Sequence, residues 1–381
     1  MVVSPVPDHF DLHHVDKARI LLLSGGSLTG QNILDVLADR RSGVELVATN
    51  SVPTGISLFD FDAVYLTPET AEAPAAFERR FSEILALEKP DLVIPCRDDD
   101  VAFLAEYQER RPELAHGFLC GNRFTAEATC DKWLSWRFSV EHGLPFAPTL
   151  ATPAGAQAET FAREHGFPLL VKPRRGYASL GVYFVFNETQ LRRAAARNGY
   201  VIQKYLGDPS TLQAYLRDVN EIGIPLFHSF EGIKHSIEIF IAPDGSPAGN
   251  FCSRNTSRNG ISLRIERHES DDATALGEQC IRAFANAGWR GPMNMNCQQT
   301  PDGRLVIYEF NGRVGGSTAA RCLMGYDEVG LAVKTFAGKE LKPAGNSRRA
   351  SLQVVRRPVD IASQPEDVAR LARDGFWRRQ A

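Results

Sequence analysis

An α/β start with an open parallel sheet, passing into an α+β second part built on hairpins, is the fold class this sequence predicts. Three observations carry that reading. Short, mostly apolar runs alternate with helical stretches over roughly the first 120 residues, the pattern of strands buried on both faces between crossover helices. A glycine-rich turn then separates two strand-like runs between Phe167 and Val185. Finally, two strand–turn–strand units appear, at 235–254 and 293–311, each with an Asp-Gly turn.

Taken in order, residues 1–16 form a leader without a clear element. Ala18–Ser24 is a buried strand closed by Gly25 and Gly26 and feeding a helix. Further strands come at Val44–Thr49 and Ala63–Leu66, a helix at Pro74–Leu87, and a buried strand at Asp91–Pro95. Residues 125–165 read mostly as helices around a loop at Gly143–Ala151, and 187–198 as another helix. The stretch from Tyr200 is a strand running into an irregular hinge. Segment 209–232 shows little periodicity, which predicts an insertion or a mobile loop. A helix at 271–287 leads to the second hairpin, and the tail from Leu352 offers one strand and one helix.

The 381 residues suffice for two or three domains sharing a core. With 43% hydrophobic residues, 23% charged residues and a net charge of -3, composition gives no reason to expect nucleic acid as a partner. No stretch approaches a membrane span, and the start lacks the apolar run of a signal peptide. Seven cysteines are scattered without a CxxC pair, which favours reduced thiols and a cytoplasmic location.

The densest chemistry lies in 293–311. Alternation along a strand puts Asn294, Asn296 and Gln298 on one face, and Glu309 and Asn311 on one face of the returning strand. Met295, Cys297, Ile307 and Phe310 are suited to packing on the other, although the alternation is imperfect. Side-chain oxygens with a single carboxylate among them suit Mg²⁺, which completes its shell with water and phosphates. An exposed polar face explains the hairpin alone equally well. The residues just beyond the hairpin favour the metal: Gly312 to Thr318 brings an arginine, Arg313, and a permissive backbone, and arginine can hold a carboxylate or phosphate in bidentate fashion. Upstream, Lys172 ends a strand before a loop containing Gly176, Ser179 and Gly181, whose small residues let backbone N–H groups approach phosphate. The loop matches neither GxxxxGK[ST] nor GxGxxG. Lys132 is a second candidate cation, on an amphipathic helix.

In this order, DLVIPCRDDD, CDKWLSWRF, GLPFAPTL, FPLLVKPRRGYASLGV, VIQKYLGD and GWRGPMNMNCQQTPDGRLVIYEFNGRVGGSTAAR resemble the ATP-grasp superfamily, in particular proteins like the large chain of carbamoyl phosphate synthetase, over about residues 18–345. The resemblance implies a pre-ATP-grasp domain at 1–122, a lid subdomain with linking helices at 123–200, a catalytic subdomain at 201–345 and a C-terminal strand/helix extension at 346–381. It implies ATP with Mg²⁺, or Mn²⁺ in its place, as cofactors. Lys132 and Lys172 would contact the phosphates under the loop 174–181, with Ser179 and Gly181. Gln203, Lys204 and the backbone of Leu206 would form the adenine hinge. Glu309, Asn311 and Asn296 would hold the metal. Arg313, and with less support Arg258, would face the transferring phosphate or substrate.

The sequence departs from the pattern at four places. Gln203 stands where Glu is usual, Lys234 where an acidic ribose contact is frequent, Asn296 where Gln or another oxygen ligand is common, and Gly312 where proline is common, which predicts a looser turn. The implied activity is an ATP-dependent carboxylate–amine ligase working through an acyl phosphate, with small-molecule carboxylate and amine substrates. A homodimer is left open. No GxSxG or HExxH motif competes, and His228, His235 and His268 read as structural or surface residues. The alternatives are a small-molecule kinase on the same ATP cradle, a nucleotide-binding module without turnover, and an oxidoreductase suggested by SGGSLTG at 24–30, whose spacing is GGxxxG rather than GxGxxG.

Overall fold

The first apolar run becomes strand β1 (Ala18–Leu23), with Leu21 and Leu23 packed into one core and Ile20 and Leu22 into another on the opposite face. It is a strand buried on both sides, as its apolar sequence, interrupted only by Arg19, requires. In a computed structural model, the chain is described over residues 17–55, 57–176, 179–224, 233–258, 261–344, 353–357 and 360–379. After β1 come α1 (Leu28–Leu37), β2 (Val44–Asn50), β3 (Ala63–Leu66), α2 (Pro74–Glu88), β4 (Leu92–Pro95) and α3 (Asp98–Arg110). Strands β3, β2, β1 and β4 lie side by side and parallel. The chain winds one way from β1 to β3 and returns to place β4 on the other flank of β1. The loops after β1 and β4 therefore meet at a topological switch point, where open α/β sheets bind ligands.

Helices α4 (Arg123–Cys130) and α5 (Lys132–Glu141) lead out of this layer. Next come β5 (Thr149–Ala151), α6 (Ala156–His165), β6 (Leu169–Pro173), β7 (Tyr183–Val185), α7 (Glu188–Ala195) and β8 (Tyr200–Lys204). Their strands form an antiparallel sheet, β5-β8-β6-β7, with its own core of Leu169, Val171, Ile202 and Leu191. Strand β5 falls in the stretch expected to be loop.

Segment 209–232 requires a correction. Pro209–Glu221 is a helix, α8, with proline in its first turn and the Asp208 carboxylate accepting from Ser210 N at 2.9 Å. The Asp-Pro-Ser start is an N-cap signal that outweighs weak periodicity. Residues 225–232 lie outside the described residues.

The second half contributes β9 (Ile233–Ile241), β10 (Pro247–Arg258), β11 (Ile261–Arg267), α9 (Asp271–Ala287), β12 (Gly291–Gln299) and β13 (Leu305–Asn311). Short helices α10 (Thr318–Leu323) and α11 (Glu328–Phe336) come next, then β14 (Gln353–Val355), α12 (Pro365–Asp374) and β15 (Phe376–Arg378). Among the described residues the second sheet is antiparallel, in the order β13-β12-β9-β10-β11-β14. The tail adds β14 to the edge of this sheet, and β15 runs antiparallel along β3 of the first sheet. It thus has one more strand than its sequence suggested. One apolar core joins Leu21, Leu23 and Val93 of the first sheet to Ile237, Met295 and Phe310 of the second. Among the described residues no helix is long and apolar enough to cross a membrane, and all seven cysteines are buried and unpaired.

Candidate active site

The imperfect alternation in the second hairpin has a specific cause. Asn294 pairs with Asn311 and Asn296 with Glu309, but Cys297 pairs with Ile307, so Tyr308 is an extra residue in β13. This β-bulge turns both Tyr308 and Glu309 toward the cleft while Ile307 and Phe310 stay in the core. Asn294, Asn296, Gln298, Glu309 and Asn311 therefore share one polar face, and it lines a cavity of about 1310 Å³ between the β5-β8-β6-β7 sheet, the second antiparallel sheet and the loops of the first.

Lys172 enters the cavity from the β5-β8-β6-β7 sheet. On β6, Leu169 and Val171 face that sheet's own core, so Lys172 is left on the other face. Its ammonium is buried and donates to Gln203 Oε1 at 2.6 Å, with the Tyr308 ring centroid 5.1 Å away. Burial pushes its pKa from 10.5 down to about 8; Glu309 opposes the shift, while Lys132 and Lys234 add to it. Gln203 is itself fully buried, and its Nε2 donates to Thr149 Oγ1 at 3.0 Å and to the Tyr308 carbonyl at 3.4 Å. Gln203 is thus a strut between the β5-β8-β6-β7 sheet and the hairpin that sets the position of Lys172.

Lys132 opens α5, capped by Asp131, whose carboxylate accepts from Trp133 N and Leu134 N at 2.9 and 3.2 Å. Its Nζ lies 3.2 Å from Glu309 Oε1 and donates to the Gly176 carbonyl at 3.2 Å. Burial alone would raise the Glu309 pKa, but the Lys132 and Lys172 ammoniums and the Asn296 amide, which donates to Oε2 at 3.0 Å, hold it below the usual range. Glu309 is a carboxylate at neutral pH. Arg313 Nε donates to Asp98 Oδ1 at 2.9 Å and Nη2 to Asn311 Oδ1 at 3.1 Å, linking the first turn of α3 to the hairpin. Burial works against its charge, yet Asp98 raises its pKa.

Ser179, Gly181, Lys204 and Leu206 belong to the same region: Ser179, Lys204 and Leu206 line the cavity, and Gly181 sits in the loop that borders it. Ser179 and Gly181 both have positive φ, 57° and 72°. Tyr177 and Ala178, between them and Gly176, lie outside the described residues. Arg258 ends β10, and its side chain is outside what is described. The structure therefore brings Lys132, Lys172, Gln203, Lys204, Leu206, Asn296, Glu309, Asn311 and Arg313 to one cleft. His235 and His268 pack against each other at 4.9 Å and do not line it.

Gly312 requires a second correction. A Cβ there would come within 2.5 Å of Thr129 Oγ1 and of the Trp289 ring, so the glycine marks close packing and not a loosened turn. Sequence reasoning also missed Asp131, Asp98 and Thr149. Asp131 holds the Arg174 guanidinium through Nε and Nη2, at 2.9 and 2.8 Å, and so ties the base of the glycine-rich loop to α5. An acid directly before the first helical residue was the available signal for it. Asp98 acts across 215 residues, for which no local signal exists.

Two antiparallel sheets flanking a polar hairpin, beside an open parallel sheet, define the class: the chain has the ATP-grasp fold. It is similar to the N5-carboxyaminoimidazole synthetase from Staphylococcus aureus complexed with ADP (TM-score 0.65, 14% identity, 86% of this chain and 79% of that one). It is also similar to the biotin carboxylase–β-γ-ATP complex from Campylobacter jejuni (TM-score 0.62, 15% identity, 87% and 73%). In sequence it resembles the carbamoyl phosphate synthase large chain of Clavibacter michiganensis subsp. michiganensis, 25% identical over 317 residues. That match covers 81% of this chain and 27% of the relative, so the chain spans little more than a quarter of its length. No family model matches.

Proposed function

We propose that this chain is an ATP-dependent ligase that activates a carboxylate as an acyl phosphate and passes the acyl group to an amine, releasing ADP and phosphate. The observation that carries the reading is the convergence of Glu309, Asn296, Asn311, Lys132, Lys172 and Arg313 on one cleft. The nucleotides in the similar solved structures support it.

The donor set fits a Mg²⁺ ion: one carboxylate and two amides share a hairpin face, and among the described residues no cluster of three His, Cys, Asp or Glu competes. Glu309, Asn311 and Asn296 would hold it, with Mn²⁺ acceptable to the same oxygens. When bound, it supplies charge neutralisation at the phosphates. Lys132 and Lys172 bind phosphate oxygens from the lid side, and Arg313 orients the accepting carboxylate from the hairpin side. A carboxylate oxygen attacks the γ-phosphorus as the bond to ADP breaks. The amine nitrogen then attacks the acyl carbon, the bond to phosphate breaks, and the amine proton leaves to phosphate or solvent. Such transfers depend on placement and charge more than on a protein nucleophile.

The test is a phosphate-release screen with ATP and Mg²⁺ over paired small carboxylates and amines. The expected result is ADP and phosphate formed together only when both substrates are present. A phosphorylated small molecule as the end product, with no amide, would show a kinase instead.

A further inference from the structure

On the side of the cavity away from the lid, the charges do not balance. The acids there are already held: Asp98 by Arg313 at 2.9 Å, and Glu69 by Arg97 at 3.0 Å. Arg321 is buried between Glu238 and Glu328, but its Nε reaches no partner. Beside it, Arg356 lines the cavity, and among the described residues no carboxylate or carbonyl pairs with its guanidinium. Its backbone is fixed, since Arg356 N donates to the Leu263 carbonyl at 2.8 Å as β14 joins the sheet edge. The groups acting on it at longer range are Asp35, on α1, and Arg321. Lys204 and Lys234 also line the cavity, but on the nucleotide side: Lys204 ends a lid strand, and Lys234 acts on Lys172.

The loop opposite reinforces the asymmetry. Ser24, Gly26 and Ser27 line the cavity at the switch point, and α1 begins there with no acid in its first turn. A half-buried guanidinium, the unpartnered Nε of buried Arg321 and a helix start free of acids are what a second anionic group of a ligand would satisfy.

We propose that the acid activated by this enzyme carries a second anionic group, held by Arg356 while the reacting carboxylate lies at Arg313. The substrate class is therefore a dianionic acid and not a simple monocarboxylate. This rests on the ligase reading, and it makes Arg356, supplied by the C-terminal extension, the residue that determines specificity.

The test measures binding of malonate, succinate, glutarate and adipate to the full chain saturated with MgADP, against acetate and butyrate at equal ionic strength. At least one dicarboxylate binds about 10- to 100-fold tighter than any monocarboxylate, as expected for one desolvated charge-assisted contact. Arg356→Met removes the advantage, Arg356→Lys keeps part of it, and Arg357→Met, at the exposed neighbour, keeps all of it. Unliganded melting curves check that each variant folds. If no dicarboxylate exceeds the monocarboxylates, or if the advantage survives in Arg356→Met, the proposal is wrong. If MgADP itself fails to bind, the ligase reading falls and takes the proposal with it; that failure is seen before any acid is added.

Discussion

Nucleotide affinity should weaken as pH rises through 8, and the cause is one buried ammonium. Lys172 is lowered from 10.5 to about 8 by burial, with Lys132 and Lys234 adding repulsion and Glu309 partly restoring the charge. A shift of that size corresponds to about 3 kcal/mol held against the protonated form. On the proposed function, the protonated form is the one that would bind phosphate. With a pKa of about 8, about nine in ten Lys172 side chains of the free protein would be charged at pH 7, and about one in ten at pH 9. The apparent dissociation constant for MgADP should therefore rise by about tenfold between those values. Calorimetric titrations at constant ionic strength from pH 7 upward measure it, a range in which the nucleotide's terminal phosphate has already lost its last proton. Gln203→Glu puts a carboxylate where Gln203 Oε1 now accepts from Lys172 at 2.6 Å. It should move the edge up by about one unit or more. A flat profile in the wild type, or an unchanged edge in Lys172→Met, would refute the assignment.

Two further outcomes are expected from the same geometry. Glu309→Gln removes the one carboxylate of the hairpin donor set and should lower ADP release by at least about 100-fold; a Mg²⁺ titration of turnover checks this, and wild-type rates at ordinary Mg²⁺ would count against the metal site. Arg321→Met strands two buried carboxylates, Glu238 and Glu328, and should cost about 3–5 kcal/mol at pH 8 by urea denaturation. Burial already raises the Glu238 pKa, so stability is fuller where that group is protonated and is lost as pH rises. The deficit should shrink at pH 5.5.

The parts legible in the sequence were those governed by short-range rules. Ala18–Leu23 had to be a strand buried on both faces, because its run of apolar side chains, broken only by Arg19 near the start, leaves no solvent face. Glu309 and Asn311 were legible because alternation is local. The bulge at Tyr308 was not, because register depends on the partner strand. Helix α8 was hidden by irregular periodicity although its Asp208 cap was in plain view. The role of Gln203 was beyond reach: its partners Thr149 and Tyr308 lie 54 and 105 residues away. Gly312 misled because a glycine reads as freedom, whereas here Thr129 and Trp289 leave no room for a side chain.

The cleft's internal pairing also explains how so many charges stay desolvated together. Unpaired, each would cost several kcal/mol. Instead the binding residues neutralise one another: Lys132 with Glu309 at 3.2 Å, Arg313 with Asp98 at 2.9 Å, and Lys172 in a hydrogen bond to Gln203. On the proposed function, an entering nucleotide would exchange these internal partners for phosphate oxygens, so its net affinity would be the difference between two sets of charge pairs and not the sum of the new one. The Arg313–Asp98 pair gives that exchange a structural consequence, because Asp98 belongs to α3 behind the first sheet and Arg313 to the end of the hairpin. Drawing Arg313 toward an anion loosens a tie between the two layers at the point where the loops after β1 and β4 meet.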